Sequence, residues 1–199
     1  MKLFQQIDPR SFIYRIDARG RLVWINDAWL EFAAENDWPV NRDDVIGRPL
    51  MHFIADEHLR YLYGLLIGRL RAGRGPLRFR YRCDAPDARR HMEMLMLYDQ
   101  AEREIEFQSS VLRIERRLHQ DLLCTRLPSD PQQLGICSCC KRVDLGGEWA
   151  EVEDAVLQLR LFDRESLPRT RHCVCPRCAQ DMAGLAGCGR AAAPRSATR

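Results

Sequence analysis

Two Cys-x-x-Cys pairs, Cys137–Cys140 and Cys175–Cys178, are the residues whose type and spacing specify chemistry most directly. Two intervening residues let the backbone turn both sulfurs toward one point, and two such pairs can close a tetrahedral thiolate cage around one zinc ion. Between Cys140 and Cys175 lie 34 residues, more than a compact zinc ribbon needs. Within them Trp149, Val152, Val156 and Leu159 recur at helical spacing, predicting a helix whose apolar side covers the metal. A core this small rarely holds itself together, so metal binding is expected to supply much of its folding energy. His172 is the alternative ligand, or a donor to one thiolate. Cys139 and Cys173 are extra thiols beside the expected ligands, and with Cys188 they could make the cage sensitive to oxidation or metal exchange. Read as a redox dithiol, Cys175-Pro176-Arg177-Cys178 lacks the βαβ context that such a motif requires.

Nothing in the chain signals catalysis. There is no phosphate-cradling glycine loop, no paired serine–histidine signature and no His-Glu-x-x-His. A non-enzymatic protein is expected. No apolar run approaches the roughly 18 residues of a membrane span, and Met1 to Arg10 lack the apolar stretch of a secretory signal. The expected setting is therefore cytoplasmic and reducing, where nine cysteines favour metal ligation over disulfides. Net charge is +3 and falls to about +1 with four thiolates on one Zn²⁺, which gives no broad basic excess for nucleic acid.

Around this metal-ligating tail the elements follow from local pattern. Phe12 to Asp17 and Leu22 to Ile25 read as strands, with Asn26 or Asp27 capping the helix that carries Ala28, Trp29, Phe32 and Ala33. Short turns follow around Asp43-Asp44 and from Pro49 to Ile54. The longest helix starts near Asp56 with an apolar stripe of Leu59, Leu62, Tyr63, Leu66 and Leu70, and Gly73 and Gly75 end it. Leu77, Phe79, Tyr81 and Cys83 then alternate with Arg78, Arg80 and Arg82, predicting a strand with one buried and one wet face. Arg89 and Arg90 are expected to pair with Asp84 or Asp87. Strands from His91 to Tyr98, with Met92, Met94 and Met96 on one face, and from Glu104 to Ile114 complete the set. The fold class read from this order is α+β: a five-stranded antiparallel sheet with helices on one face, plus a small zinc-stabilised C-terminal module. The domains are 1–115, a linker 116–133, a zinc-binding module 134–185 and a disordered tail 186–199.

The order resembles the PAS sensor family. "FIYRIDARGRLVWINDAW" is similar to the opening PAS strand pair running into its first helix, and "DVIGRPLMHFI" to the stretch around its Val-Ile-Gly turn. The segments "CSCCK", "GGEWAEVE" and "HCVCPRC" resemble a zinc-binding segment appended to bacterial sensory proteins. The PAS resemblance implies a ligand pocket of unknown occupant between sheet and long helix, lined by Phe79, Tyr81, Met94 and Met96. A filled core is the plainer reading of the same residues, methionine being a good filler of irregular gaps. Gly47-Arg48-Pro49-Leu50-Met51 lacks the cysteine of photoactive flavin domains. His52 and His58 read as surface or partly buried side chains rather than haem ligands, and His91 as solvated.

The function expected is cytoplasmic signal transduction: the sensor responds to a small ligand, redox state or partner, and the zinc module mediates protein–protein interaction. Leu118, Leu122 and Leu123 offer an apolar strip for a homodimer. The alternatives are a nucleic-acid-binding regulator, with Lys141, Arg142, Arg169, Arg171 and Arg177 on phosphates, and a thiol redox switch. Serine at Cys137 or Cys178 is expected to unfold 134–182 and leave 10–115 intact.

Overall fold

The computed structural model describes residues 11–36, 38–124, 129–164 and 166–187, with backbone alone over 129–132. Strand β1 (Phe12–Ile16) pairs antiparallel with β2 (Leu22–Ile25), and the chain then crosses into helix α1 (Asp27–Glu35). Asn26 makes this turn sharp. Its side chain accepts the amides of Ile13 and Trp29 and donates to the Ser11 carbonyl, so one residue caps the helix and ties it to β1. A short helix α2 (Arg42–Val45) and a 3-10 turn (Leu50–Phe53) lead to α3 (Glu57–Arg71), which Asp56 caps through the Leu59 amide. Leu62, Leu66, Ile67 and Leu70 of α3 are buried, while Leu59 and Tyr63 pack partly buried against the same core.

Strands β3 (Leu77–Arg82), β4 (Ala88–Asp99) and β5 (Glu104–Arg116) then form an antiparallel meander. The sheet order is β2-β1-β5-β4-β3, so β2 and β3 are the edges that flank a centre made by β1, β5 and β4. This is the PAS-like α+β arrangement: five antiparallel strands, with the helices inserted between the second and third. Met92, Met94 and Met96 alternate inward from β4 and Phe107 from β5. β4 and β5 extend a few residues beyond the expected limits.

The C-terminal part is a second, four-stranded sheet of order β8-β7-β6-β9. Its strands are β6 (Ser129–Cys137), β7 (Val143–Asp144), β8 (Trp149–Ala150) and β9 (Leu167–Cys173), with helices α4 (Val152–Gln158) and α5 (Pro176–Leu185). Trp149 belongs to a strand, so the expected helix starts later than its apolar spacing suggested. The apolar residues of α4, Val152 and Ala155, enter a cluster with Leu122, Leu134, Ile136, Val143 and Leu161. The side chains turned toward the sensor sheet are instead Cys139, Val174, Ala179, Met182 and Ala183.

Two expectations are corrected here. Residues 116–133 do not merely link: β5 runs to Arg116, β6 begins at Ser129, and Leu122 is 4% exposed inside the second core. Of the expected dimerisation strip, Leu118 remains exposed. Nor do the two parts have separate interiors, because Met182 and Ala183 of α5 lie in one buried cluster with Leu62, Leu66 and Phe107. The reason is that α5 packs against α3. The expected tail falls mostly outside the described residues, as does Cys188.

Candidate metal centre

Parallel pairing brings the two cysteine pairs together. β6 and β9 run side by side with Cys137 opposite Cys173, so both chains leave the sheet at the same edge. The approach is close. A Cβ on Gly135 would lie 3.2 Å from the Cys173 sulfur and 3.3 Å from the Asp144 Cβ, which is why this strand position is glycine. After Cys137 the backbone folds back through Ser138, Cys139 and Cys140, with the Lys141 amide donating to the Cys137 carbonyl at 2.9 Å. Lys141 takes φ 61°, turning the chain into β7.

The second pair sits on a helix start. Cys175 is the cap residue of α5, Pro176 holds the first helical position, and the Cys178 amide donates to the Cys175 sulfur at 3.4 Å. The Cys175 amide donates to the Cys137 sulfur at 3.3 Å. Amides at a helix N-terminus favour negative charge, so they suit thiolates.

The sulfurs of Cys137, Cys140, Cys175 and Cys178 all lie within 4.8 Å of one another, and Cys140 and Cys175 are 3.8 Å apart. A tetrahedron with Zn–S bonds of about 2.3 Å has edges of about 3.8 Å, which the Cys140–Cys175 separation matches. Cys137 and Cys175 are buried, at 0% and 3% exposure. Their protons conflict. Hydrogen bonds from Cys139, Cys140 and Cys178 pull the Cys137 thiol far below its ordinary range, while the bond each makes to Cys137 pushes Cys140 and Cys178 far above it. Four sulfurs this close cannot all ionise by themselves; a divalent cation with a preference for sulfur removes that conflict.

His172 stands apart from the four sulfurs, exposed on β9 opposite Ile136. Cys139 lies between the cage and the first core: its thiol hydrogen-bonds with Cys137 and Cys178, and its sulfur is 3.6 Å from that of Met182. The neighbouring Cys137 holds the Cys139 thiol well above the usual range, and burial pushes Cys173 up to about 11, so both extra thiols keep their protons at neutral pH.

The expected pocket residues occupy the sensor interior. Met94 and Met96 are buried, the Tyr81 hydroxyl donates to Ser109 Oγ at 2.9 Å, and Phe79 meets Tyr63 edge to face. Tyr14 and Tyr63 both stack on Phe107, with ring centroids 4.6 Å and 6.4 Å from it. Burial raises the pKa of Tyr14, Tyr63 and Tyr81; Tyr63 and Tyr81 add to the shift of Tyr14, and Tyr81 to that of Tyr63, while the bond to Ser109 partly offsets the shift of Tyr81. This cluster of three phenols was not singled out in the sequence, where only Tyr81 fell on a clearly alternating strand. A separate open groove of about 410 Å³ lies by α2, lined by Trp38, Val40, Asp44, Val45, Arg48, His52 and Phe53.

A buried ion cluster joins sensor and module. Arg82 pairs with Asp84 and, at 2.6 Å, with Glu151; Arg89 and Arg117 reach Glu153, and Arg117 also reaches Asp84. Arg82 is therefore not on the wet face with Arg78 and Arg80: its side chain is only 11% exposed. Arg89 pairs with Glu115, Glu151 and Glu153, and Arg90 bonds Asn36, so the expected pairs with Asp84 or Asp87 are formed by Arg82, Arg117 and Arg116 instead. His91 bonds Glu115 at 3.1 Å. Among the basic residues expected on phosphates, Arg142 is engaged by Glu151. No helix among the described residues is long and apolar enough to cross a membrane.

No protein-family model matches the chain, and no curated protein matches it either. Solved structures do. The PAS domain of BvgS from Bordetella pertussis is 23% identical, covering 55% of this chain and 80% of that one, with a TM-score of 0.40. The photoactive yellow protein domain of the sensor histidine kinase Ppr from Rhodospirillum centenum is 14% identical over 50% of this chain and 84% of its own, with a TM-score of 0.39. The Aer2 receptor from Vibrio cholerae, a dual PAS–heme oxygen sensor, is 12% identical over 52% and 95%, with a TM-score of 0.33. At these identities and scores the likenesses carry no function over to this chain.

Proposed function

We propose that this chain is a non-enzymatic signalling protein in which a zinc ion, held by Cys137, Cys140, Cys175 and Cys178, fixes a C-terminal module against a PAS-like sensor. The observation that supports this most is the four-sulfur cluster at zinc-like separations on two elements far apart in sequence. The ion's part is structural: four protein ligands leave it no open position for substrate. The chain's own residues do the rest. Cys175 and Cys178 fix the start of α5, and α5 then carries Met182 and Ala183 into the sensor core.

Signalling follows from that shared core. A stimulus bound in the sensor biases the module only if it binds two arrangements of the core unequally. The interior of Tyr14, Tyr63, Tyr81 and Phe79 is where a small uncharged ligand would act, and the module's outer surface, with Leu157 and Phe162 exposed, is where a protein partner would read the result. Native mass spectrometry of the purified chain, with elemental analysis, tests the reading. It is supported by one zinc per chain; a metal-free, fully folded chain overturns it.

A further inference from the structure

We propose that His119, Asp121 and Cys124 form a second metal site, open and at the surface, for one divalent transition-metal ion. The three donor atoms all lie within 4.8 Å of one another. His119 Nε2 is 3.3 Å from the Cys124 sulfur and 3.4 Å from Asp121 Oδ1. Bonds of about 2.0–2.3 Å to nitrogen, oxygen and sulfur span tetrahedral edges of about 3.3–3.8 Å, so both separations fit a single ion.

The donors differ in kind from those of the four-cysteine centre. One imidazole, one carboxylate and one thiolate neutralise a doubly charged ion and suit Zn²⁺ or Co²⁺, not the all-oxygen preference of Mg²⁺ or Ca²⁺. Three protein ligands leave a fourth position for water or an outside donor. The side chains of His119 and Asp121 are 57% and 66% exposed, so this ion exchanges readily, unlike one held behind Cys137 and Cys175.

The turn that carries the donors is fastened. Leu122, between Asp121 and Cys124, is buried in the second core. The Gln120 amide donates to the Pro86 carbonyl and the Arg117 amide to that of Asp87, both at 3.0 Å, which ties the turn to the β3–β4 connection. The donors thus meet a cation without the cost of ordering a free loop.

Addition of Co²⁺ to the purified full chain as isolated, under anaerobic conditions, tests this site. Native mass spectrometry counts both metals while the visible spectrum reports the donor set. The expected result is one equivalent of cobalt beyond the metal already bound, with a charge-transfer band of a single thiolate. His119→Ala and Cys124→Ser should each weaken that uptake at least about tenfold, with unchanged circular dichroism and unchanged metal at the four-cysteine centre. No additional cobalt in the parent chain, or equal uptake by both variants, overturns the proposal. Because the count at the four-cysteine centre is read in the same spectra, failure there is distinguishable from failure here.

Discussion

The backbone amide of Arg82, at the end of the sensor's edge strand, donates to the carbonyl of Cys139 at 2.7 Å. This bond is made by main-chain atoms, so no side-chain choice at either position creates it; it requires the two backbones to be held together. The loop between the first two metal ligands is thereby an extension of the sensor's sheet edge. Around it Cys139 faces Met182, and the Arg82 guanidinium reaches Glu151 at the start of α4. The PAS-like sheet and the four-cysteine cluster share this set of contacts.

Loss of the metal should therefore be felt in the sensor. With zinc removed by a chelator, or in Cys178→Ser, amide hydrogen exchange is expected to rise in 134–182 and also along α3, which α5 no longer covers, and at the end of β3, where the Arg82 amide loses the Cys139 carbonyl. Unchanged protection of α3 and β3 would show that the shared core contributes nothing.

Met182 is the side chain to truncate. It is 4% exposed and lies between the Cys139 sulfur and the sensor core. Met182→Ala should cost about 2–5 kcal/mol in denaturant unfolding with the metal content unaltered. A cost within about 0.5 kcal/mol, the range of surface changes, would place this residue outside the core.

Glu151 gives the clamp a pH dependence. Burial raises its pKa, but hydrogen bonds and charge from Arg82, with Arg142 and Arg89, outweigh that and leave it below the ordinary carboxylate range; Glu153, also raised by burial, is lowered overall by its own backbone amide, then by Arg117 and Arg89. A group whose folded pKa is depressed contributes stability above its unfolded value, about 4.3, and loses it as pH falls through the folded one. Glu151→Gln should thus cost about 2 kcal/mol at neutral pH and progressively less in acid. A cost independent of pH between about 7 and 3 would contradict this.

Tyrosine ionisation provides an interior probe. The folded pKa values of Tyr14, Tyr63 and Tyr81 lie above the ordinary value, with burial as the largest cause. Such a group keeps its proton in the folded state, so its contribution is present below the unfolded pKa near 10 and lost as pH rises beyond it. In an absorbance titration these three should ionise only together with alkaline unfolding. Tyr63→Phe should remove one of them from that alkaline step. Ionisation of all tyrosines near pH 10 in the folded chain would refute the sealed interior.

Local chemistry was legible. Asn26 and Asp56 announce helix starts because short polar side chains satisfy amides within three residues, and Leu77 to Cys83 announces a strand because alternation is a property of neighbours. The cysteine pairs did the same for the metal centre, since a Cys-x-x-Cys turn is closed within four residues. Strand β6 had no such signal: it opens on Ser129-Asp130-Pro131, residues of turns, and its extended form is set by pairing with β9 along its length and with β7 at Ile136. That parallel pairing, the burial of Arg82 against a glutamate 69 residues away and the entry of Met182 into the sensor core depend on groups brought together by the folded chain. The sequence thus determined the elements of the first sheet and the two cysteine pairs; only the tertiary structure decided that those four thiols meet, and meet beside that sheet, because burial and charge pairing depend on proximity in space and not on spacing along the chain.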